Sequence, residues 1–329
     1  MPLTQDQPPF IETSELTKTF DKITAVDRMS FGVAQGEFFG FLGPNGAGKT
    51  TTINLLTGLA RPDSGIIRIA GFECTNNPKA AQHLIGVVPD ESNLYPELSG
   101  FDNLCFCAAL YGMPKKVRHT RARELLETFG LAEAANRKFA GYSKGMKRKL
   151  TIAAGIIHNP FVLFLDEPTT GIDVASARSI RQLIKNLHRS GTTIFLTTHY
   201  IEEAERLCDR IAFVVQGRIV SIDTIANLLR PVQGRHIMLF SVSLSDSILI
   251  GKLAAAFPLL EFHALSGGQF RVESAEPIRI GPLVRFLEEQ NVDVLEARHL
   301  YPSLEDVFVR ITGIEADLIK KEKEKGGGA

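Results

Sequence analysis

The sequence lacks a net charge and a long hydrophobic run. Its 37 Lys and Arg residues balance 37 Asp and Glu residues, so no overall field attracts the chain to nucleic acid or to an anionic membrane. No run approaches the roughly 18 apolar residues that cross a bilayer, and the N-terminal segment lacks the basic start and apolar stretch of a secretion signal. We therefore expect a cytoplasmic protein that does not bind nucleic acid.

Cysteine is also scarce. The four cysteines are Cys74, Cys105, Cys107 and Cys208. Their number and spacing exclude a dense disulfide scaffold and paired CxxC motifs for zinc. We expect all four to be buried, reduced thiols.

The length of 329 residues and the hydrophobic fraction of 44% predict a chain of two domains. From about residue 10 to 228, the apolar runs FFGFLG, IGVVP, FVLFLDE and TTIFLTT each precede a helical stretch. This alternation predicts an α/β domain with a largely parallel, buried sheet. The segment from about Phe101 to Ala140 reads as helical throughout, and we expect a helical subdomain at about residues 100–160.

The pattern changes after Pro231. The predicted order is strand, helix, strand, strand, helix, strand, which is the split β-α-β-β-α-β arrangement of a small α+β ferredoxin-like domain. A short helix from Ser303 to about Ile311 follows, and the tail KKEKEKGGGA has a composition typical of disorder. The predicted divisions are residues 1–229, 230–313 and 314–329.

The strongest chemical signal is a glycine-rich loop where a strand passes into a helix. It matches the pattern G-x-x-x-x-G-K-[ST] and consists of Gly43, Pro44, Asn45, Gly46, Ala47, Gly48, Lys49, Thr50 and Thr51. Backbone N–H groups of such a loop surround phosphate oxygens, and the helix N-terminus adds partial positive charge. We expect Lys49 to reach the β and γ phosphates and Thr50 to offer a hydroxyl to Mg²⁺. The loop therefore predicts that the chain binds and hydrolyses ATP with Mg²⁺.

Two adjacent carboxylates, Asp166 and Glu167, end the apolar run FVLFL. Burying acids beside a core strand is costly unless a cation or a reaction uses them. We expect Asp166 to hold Mg²⁺ and Glu167 to orient and deprotonate the attacking water. A helix-capping acid is the alternative at such a strand end, but the phosphate loop favours catalysis.

From about Phe10 to Leu229, these motifs resemble the ATPase subunits of ATP-binding cassette (ABC) transporters, in particular bacterial and archaeal exporters of drugs or polysaccharides. The resemblance implies a P-loop NTPase cassette with a helical subdomain. It also implies an ATP-sandwich dimer with a second copy of the chain, in which each ATP meets the phosphate loop of one copy and a signature sequence of the other. A separate integral-membrane permease would form the channel and hold the chain at the cytoplasmic face of the cell membrane.

The family's signature sequence, usually LSGGQ, resembles residues 142–146, YSKGM. The resemblance places Ser143 and Gly145 against the ATP of the partner copy, at a helix N-terminus that can face a γ-phosphate. A literal LSGGQ at residues 265–269 lies far beyond the Asp166 strand, between two strand-like runs. Because Gly-Gly in that context is a turn signal, we interpret the literal match as a hairpin turn.

Three further residues match family positions one at a time. Phe20 stands where the family has an aromatic that stacks on adenine, with an ordinary core phenylalanine as the alternative. Asp173 matches the D-loop acid that helps link the two sites across the dimer. His199 resembles the switch histidine that contacts the γ-phosphate, and its place directly after a strand favours that role over an ordinary surface or core position.

Asp90 departs from the family pattern. It follows GVVP, where the family generally has a glutamine whose amide bonds Mg²⁺ or the attacking water and couples nucleotide state to the membrane partner. A carboxylate can bind Mg²⁺, but it cannot donate a hydrogen bond when ionised. We expect Asp90 on the Mg²⁺ side of the site.

Two segments, Leu94–Leu98 and Phe101–Tyr111, resemble the surface that receives a short helix of the membrane subunit. Exposed aromatic side chains there would mark a partner groove, whereas buried ones would belong to a core. The sequence leaves both interpretations open.

The sequence thus predicts an ATPase subunit of an export transporter, in which closure of a Mg-ATP dimer drives transport by the permease. One alternative is a soluble ABC ATPase acting on the ribosome or DNA, which the single cassette and the absence of a heptad insert disfavour. The other is a low-turnover regulatory module. The presence of Lys49, Asp166, Glu167 and His199 argues against it, while Asp90 and the altered signature keep it open.

Overall fold

The computed structural model describes residues 8–230, 236–243, 247–300 and 303–313. Contacts divide the chain into two units, of which the second covers Ala226–Arg310 and the first includes all residues up to Ile225. The predicted charged tail, residues 314–329, lies outside the described residues.

The first unit contains a mixed sheet and an antiparallel sheet, with helices on its connections. Its strands are β1 (Ile11–Phe20), β2 (Ile23–Val33), β3 (Phe38–Leu42), β4 (Ser64–Ile69), β5 (Phe72–Glu73), β6 (Ile85–Val88), β7 (Val162–Asp166), β8 (Thr193–Thr198), β9 (Arg210–Val215) and β10 (Arg218–Thr224). Its helices are α1 (Lys49–Leu56), α2 (Gly100–Leu110), α3 (Lys115–Thr128), α4 (Lys144–Gly155), α5 (Val174–Arg189) and α6 (Ile201–Leu207), and α7 (Ile225–Leu229) lies at the boundary.

The larger sheet has the strand order β10-β9-β3-β8-β7-β6. Its neighbours pair in parallel except β10 with β9, which are antiparallel. Every residue of β3, β7 and β8 is buried, because continuous apolar runs suit a sheet covered on both faces. The predicted α/β class with a largely parallel, buried sheet is confirmed. The second sheet, β2-β1-β4-β5, is antiparallel.

Parallel pairing aligns the carboxyl ends of three central strands. Leu42, the last residue of β3, pairs with Thr198, the last residue of β8. Asp166, the last residue of β7, pairs with Thr197 of β8. The segments that follow these strands therefore leave the sheet at one edge, the place where ligands bind in open α/β sheets.

The helical segment differs from its prediction in two stretches. Helices α2, α3 and α4 pack against one another, but residues 129–143 contain short 3₁₀ turns rather than an α-helix. Gly130 has a φ of 66° there, which stops α3 from continuing. The prediction of helix throughout from Phe101 to Ala140 was therefore wrong at residues 111–114, between α2 and α3, and after residue 128.

The second unit combines one antiparallel sheet with helices. Its elements are β11 (His236–Val242), α8 (Ser247–Ala256), β12 (Glu261–Ala264), β13 (Gln269–Ser274), α9 (Ile280–Glu289), β14 (Val294–Leu300) and α10 (Leu304–Thr312). The strand order is β12-β13-β11-β14, and all neighbours are antiparallel. Apolar side chains of β11, β13, α8 and α9 form its core, including Phe240, Phe270, Leu253 and Leu283.

The literal LSGGQ segment joins β12 to β13. Leu265 donates its backbone N–H to the carbonyl of Gln269 over 2.9 Å, and Gly267 and Gly268 both have a φ of 73°. Only glycine adopts this backbone without strain. The prediction of a hairpin turn is confirmed.

The four cysteines are unpaired. Cys74 and Cys208 are buried as expected, whereas Cys105 and Cys107 are half-buried. Both belong to α2, where residues two positions apart point in different directions and neither faces the core fully. The expectation of complete burial was wrong for these two.

We expect substitution of Gly86 by alanine to destabilise the first unit, because the added methyl would lie 2.1 Å from the carbonyl oxygen of Gly155 at the end of α4. A clash with backbone of this kind costs about 1–3 kcal/mol. Gly141→Ala is the control, since its nearest neighbour is the flexible end of Arg137 at 3.8 Å. Denaturant unfolding compares the two variants, and equal stability would show that β6 and α4 do not need the close approach.

Candidate functional site

The phosphate loop, Gly43–Thr51, joins β3 to α1 and depends on two of its glycines. A Cβ at Gly43 would lie 2.1 Å from the carbonyl oxygen of Val214, and one at Gly48 would lie 2.2 Å from that of Ala25. Gly48 also has a φ of 98° and caps α1. Because the first N–H groups of a helix have no partner within it and carry the positive end of its dipole, this loop fits an anionic phosphate chain.

The loop is open on one side. Asn45, Gly46 and Thr50 are exposed, Pro44 and Thr51 are half-buried, and Ala47 lies in the core. A Cβ at Gly46 would meet nothing within 4 Å. The open side leaves room for a ligand beside the loop.

Lys49 turns its buried side chain back along the loop. Its Nζ donates to the carbonyl oxygens of Gly43 at 2.8 Å and Pro44 at 3.1 Å. The same atom lies 3.3 Å from Oε1 of Glu167. An ammonium group that is 6% exposed is thus paired with a carboxylate from another strand, as a buried charge requires.

Glu167 follows β7 in an unusual backbone conformation, with a φ of 48°. Its N–H donates to the carbonyl oxygen of Thr197 over 3.1 Å. Its Oε2 accepts a hydrogen bond from the Thr170 hydroxyl at 3.0 Å and lies 2.9 Å from Nδ1 of His199. A left-handed non-glycine residue costs about 1–3 kcal/mol and is typical of functional sites.

The ionisation of Glu167 is set by opposing effects. Burial raises the pKa of its carboxyl, but contact with His199 and the charge of Lys49 outweigh burial and hold the pKa below its ordinary value. Glu167 is therefore ionised at neutral pH, which is the form of a carboxyl group that can accept a proton.

Asp166 is the last residue of β7 and is buried. Its carboxylate accepts a hydrogen bond from the hydroxyl of Thr197 on β8. The structure thus holds the two neighbouring carboxylates differently, with Asp166 bound to a hydroxyl and Glu167 placed between two nitrogen groups.

Glu203, on α6, holds the turns beside the site. It is buried and accepts hydrogen bonds from Thr169 at 2.7 Å and Thr198 at 3.1 Å, which fixes the chain after Glu167 and the residue before His199. Sequence reasoning missed Glu203 and the supporting hydroxyls of Thr170 and Thr197. The available signal was the run of polar residues that interrupts apolar strand ends in PTT and LTTH.

Asp90 follows β6 and is half-exposed. Its carboxylate lies 3.4 Å from the guanidinium of Arg148, another residue that sequence reasoning missed. Burial raises the pKa of Asp90, Arg148 opposes that rise, and the negative charges of Asp166 and Glu167 add to it. Arg148 also donates to the backbone carbonyl oxygens of Asp90 and Glu167, so one guanidinium links the turns that follow β6 and β7.

The signature residues lie on a neighbouring surface of the same unit. Ser143 is exposed and caps α4 by accepting the N–H of Met146 at 3.3 Å. Gly145 allows α4 to approach α5, because a Cβ there would lie 2.4 Å from Oγ of Ser176. Asp173 caps α5 through the N–H of Ser176 at 2.9 Å, and this bond lowers the pKa of its exposed carboxyl. Within the described residues, no hydrogen bond or ion pair joins these three residues to Lys49, Glu167 or His199.

Phe20 ends β1 with half of its surface exposed. The Nζ of Lys18 lies 5.2 Å from the ring centroid. Its exposure excludes the alternative of an ordinary core phenylalanine.

Known proteins are similar to this chain in sequence and in fold. Residues 26–170 match the ABC transporter family model. The chain is 35% identical over 308 residues to the linearmycin resistance ATP-binding protein LnrL of Bacillus subtilis, covering 92% of this chain and 98% of that protein. The chain belongs to the ABC transporter ATP-binding family. It is an ATP-hydrolysing cassette.

Two more relatives of the cassette match over similar lengths. This chain is 36% identical to the daunorubicin/doxorubicin resistance ATP-binding protein DrrA of Streptomyces peucetius, covering 93% of each chain. It is 37% identical to the Nod factor export ATP-binding protein I of Paraburkholderia xenovorans, covering 93% of this chain and 97% of that protein.

Solved structures share the fold of the cassette. The ATP-binding subunit of an ABC transporter has a TM-score of 0.62 at 29% identity, covering 68% of this chain and 93% of that chain. A dimeric cassette in a post-hydrolysis state with ADP and Pi has a TM-score of 0.61 at 27% identity, covering 65% and 98%. Across the part of the chain that the structure describes, no helix is both long and apolar enough to cross a membrane.

The charge on Lys49 predicts that the difference in stability between wild type and Lys49→Met depends on pH. Because the pKa of Glu167 in the folded chain lies below its ordinary value of 4.5, its ionised form stabilises the fold above that value, and the contribution is lost as the pH falls through the folded-state pKa. In Lys49→Met, no lysine charge opposes the effect of burial, and the pKa of Glu167 therefore rises. We expect the variant to be less stable than wild type near neutral pH and the gap to narrow on acidification.

Urea unfolding from about pH 7 down through the ordinary pKa of 4.5 and below it measures this gap through the linked proton uptake. Lys149→Met, which removes a lysine charge from α4 outside the site, is the matched control. A Lys49→Met gap that stays constant over this range would contradict the assigned pairing of Lys49 with Glu167.

Proposed function

We propose that the chain is the ATPase subunit of an ABC export transporter and works as a dimer with a separate membrane permease. The observation that carries the proposal is the contact of Lys49, Glu167 and His199 at the carboxyl edge of β3, β7 and β8. In this proposal Lys49 binds the β and γ phosphates, Glu167 activates the attacking water, and His199 holds Glu167 and meets the γ-phosphate. Phe20, exposed at the end of β1, stacks on the adenine.

The residues present also fit Mg²⁺. The exposed hydroxyl of Thr50 and the carboxylates of Asp166 and Asp90 are the hard oxygen ligands that Mg²⁺ prefers. The negative charges of Asp166 and Glu167 act on Asp90, and a divalent cation would offset such a group of acids. Bound Mg²⁺ would neutralise charge on the phosphates, and the buried hydroxyl of Thr197 would keep Asp166 oriented towards it.

A second copy of the chain is proposed to complete each ATP site. Ser143 and Lys144 are exposed at the N-terminus of α4, where helix N–H groups can bind phosphate. Gly145 keeps this end of α4 close to α5, and exposed Asp173 starts α5. Because these residues make no bond to the Lys49 site within the described chain, they remain available to the ATP held by a partner copy.

The permease is proposed to dock on an exposed aromatic surface. Tyr95, Phe106, Leu110 and Tyr111 are all at least 39% exposed, and the rings of Tyr95 and Phe106 meet edge to face at 5.0 Å. A contiguous exposed apolar patch is typical of a partner surface. Leu94 and Leu104, in contrast, are buried, so the two segments supply both core residues and the proposed docking surface.

The names of the relatives support export as the process, since they describe resistance to linearmycin and to daunorubicin/doxorubicin, and export of Nod factor. We also propose that the cassette covers residues 1–229, with its helical subdomain at about 100–160, and that residues 230–313 form a ferredoxin-like accessory domain. The fully antiparallel order β12-β13-β11-β14 supports the latter. The proposed location is the cytoplasmic face of the membrane, through the permease.

Glu167→Gln should bind ATP, hydrolyse it very slowly and accumulate as a closed dimer, because the amide cannot accept the proton of the attacking water. Light scattering after size exclusion, with and without Mg-ATP, measures the mass. Doubling of the mass with ATP supports the dimer. An unchanged monomer mass with ATP demonstrably bound would contradict a sandwich formed by the chain alone.

A further inference from the structure

Arg148 joins three segments of the cassette. It lies on α4, the helix that begins after Ser143, and its side chain is 7% exposed. The guanidinium donates to the carbonyl oxygens of Pro89 and Asp90, both at 2.5 Å, and to that of Glu167 at 3.2 Å. It also contacts the Asp90 carboxylate at 3.4 Å. One buried side chain thus connects α4 with the turns that follow β6 and β7.

These contacts hold the backbone of Glu167 from one side. The N–H of Glu167 is bound to the carbonyl of Thr197, whereas its carbonyl oxygen accepts from Arg148 and from the N–H of Thr170 at 3.2 Å. A left-handed residue persists only where its surroundings over-determine it. Arg148 is therefore part of what fixes the direction in which the Glu167 carboxylate points.

The contacts need the shape of a guanidinium. Arginine presents five N–H donors in a rigid planar fork, whereas the ammonium of lysine is a compact charge on a flexible stem. A single ammonium cannot span the same three carbonyl oxygens with that geometry. Asp90 supplies a negative charge beside this buried cation, which a neutral amide at position 90 would not provide.

We propose that Arg148 is a positioning residue for ATP hydrolysis, which couples the placement of α4 to the carboxylate of Glu167 in the same chain. The inference rests on the proposed function, in which the N-terminus of α4 meets the ATP of the partner copy. If contact with that ATP moves α4, the guanidinium of Arg148 would transmit the movement to Glu167 of the same chain. Arg148 itself touches no reacting atom.

The test compares Arg148→Lys, which keeps the charge, with Arg148→Met, which keeps the apolar stem. Lys149→Gln is the matched control on the same helix. Steady-state hydrolysis gives kcat, fluorescent ATP binding gives Kd, and thermal unfolding gives Tm for each purified full-length protein. Removing one partner of a buried charge pair is destabilising, so Arg148→Lys, which keeps the charge, remains the measurable variant if Arg148→Met loses its fold.

We expect both Arg148 variants to lose roughly tenfold to hundredfold in kcat, the scale of a displaced reacting group, with nearly unchanged Kd for ATP. The lysine control should retain normal kcat.

A normal kcat in Arg148→Lys would overturn the proposal, as would parallel losses of kcat, ATP affinity and Tm in both variants, which would indicate a structural role. The proposed dimer is judged separately, from Glu167→Gln with Arg148 intact. If that protein dimerises with ATP while Arg148→Lys hydrolyses normally, the proposed function stands and the inference fails.

Discussion

The negative charge of Glu167 is the constraint on which the rest of the site depends. Burial alone would favour the neutral acid, and a neutral acid cannot take a proton from water. Lys49 on one side and His199 on the other reverse that preference. Glu203 and the hydroxyl of Thr170 help to keep these groups aligned.

The register of the parallel strands brings these groups together. Because β3, β7 and β8 are parallel and adjacent, the phosphate loop, Glu167 and His199 leave the sheet at the same edge. The hydroxyl of Thr197 then binds Asp166 across the strands, and Glu203 fixes the two turns beyond them. The left-handed backbone of Glu167 is stable in this setting because partners hold both its N–H and its carbonyl.

The sequence was sufficient for features that are local along the chain. The phosphate loop is one uninterrupted motif, and the apolar runs ending in Asp166 and before His199 predict buried strands whose ends meet. The hairpin at residues 265–269 was also predicted, because Gly-Gly between alternating runs is a local signal. Phe20 is exposed, as an adenine-stacking residue would need to be, although a motif position alone did not exclude the core.

Features that depend on contacts between distant segments were not predictable. Arg148 reads as one basic residue among several on α4, and only the fold places it against Pro89 and Glu167. The half-burial of Cys105 and Cys107 depends on how α2 packs. The 3₁₀ turns at residues 129–143 follow the left-handed backbone of Gly130, in a segment whose composition favours helix. Asp90 similarly has an evident partner only once α4 is placed beside β6.

The most direct test of the central claim is the single-turnover rate at which pre-bound ATP is hydrolysed by wild type and by Glu167→Gln, with bound ATP quantified in both. If the ionised carboxylate of Glu167 activates the water, the variant should retain ATP and slow by roughly a hundredfold to ten-thousandfold. Hydrolysis of bound ATP at the wild-type rate would contradict the account and would assign the buried charge of Glu167 a structural purpose instead.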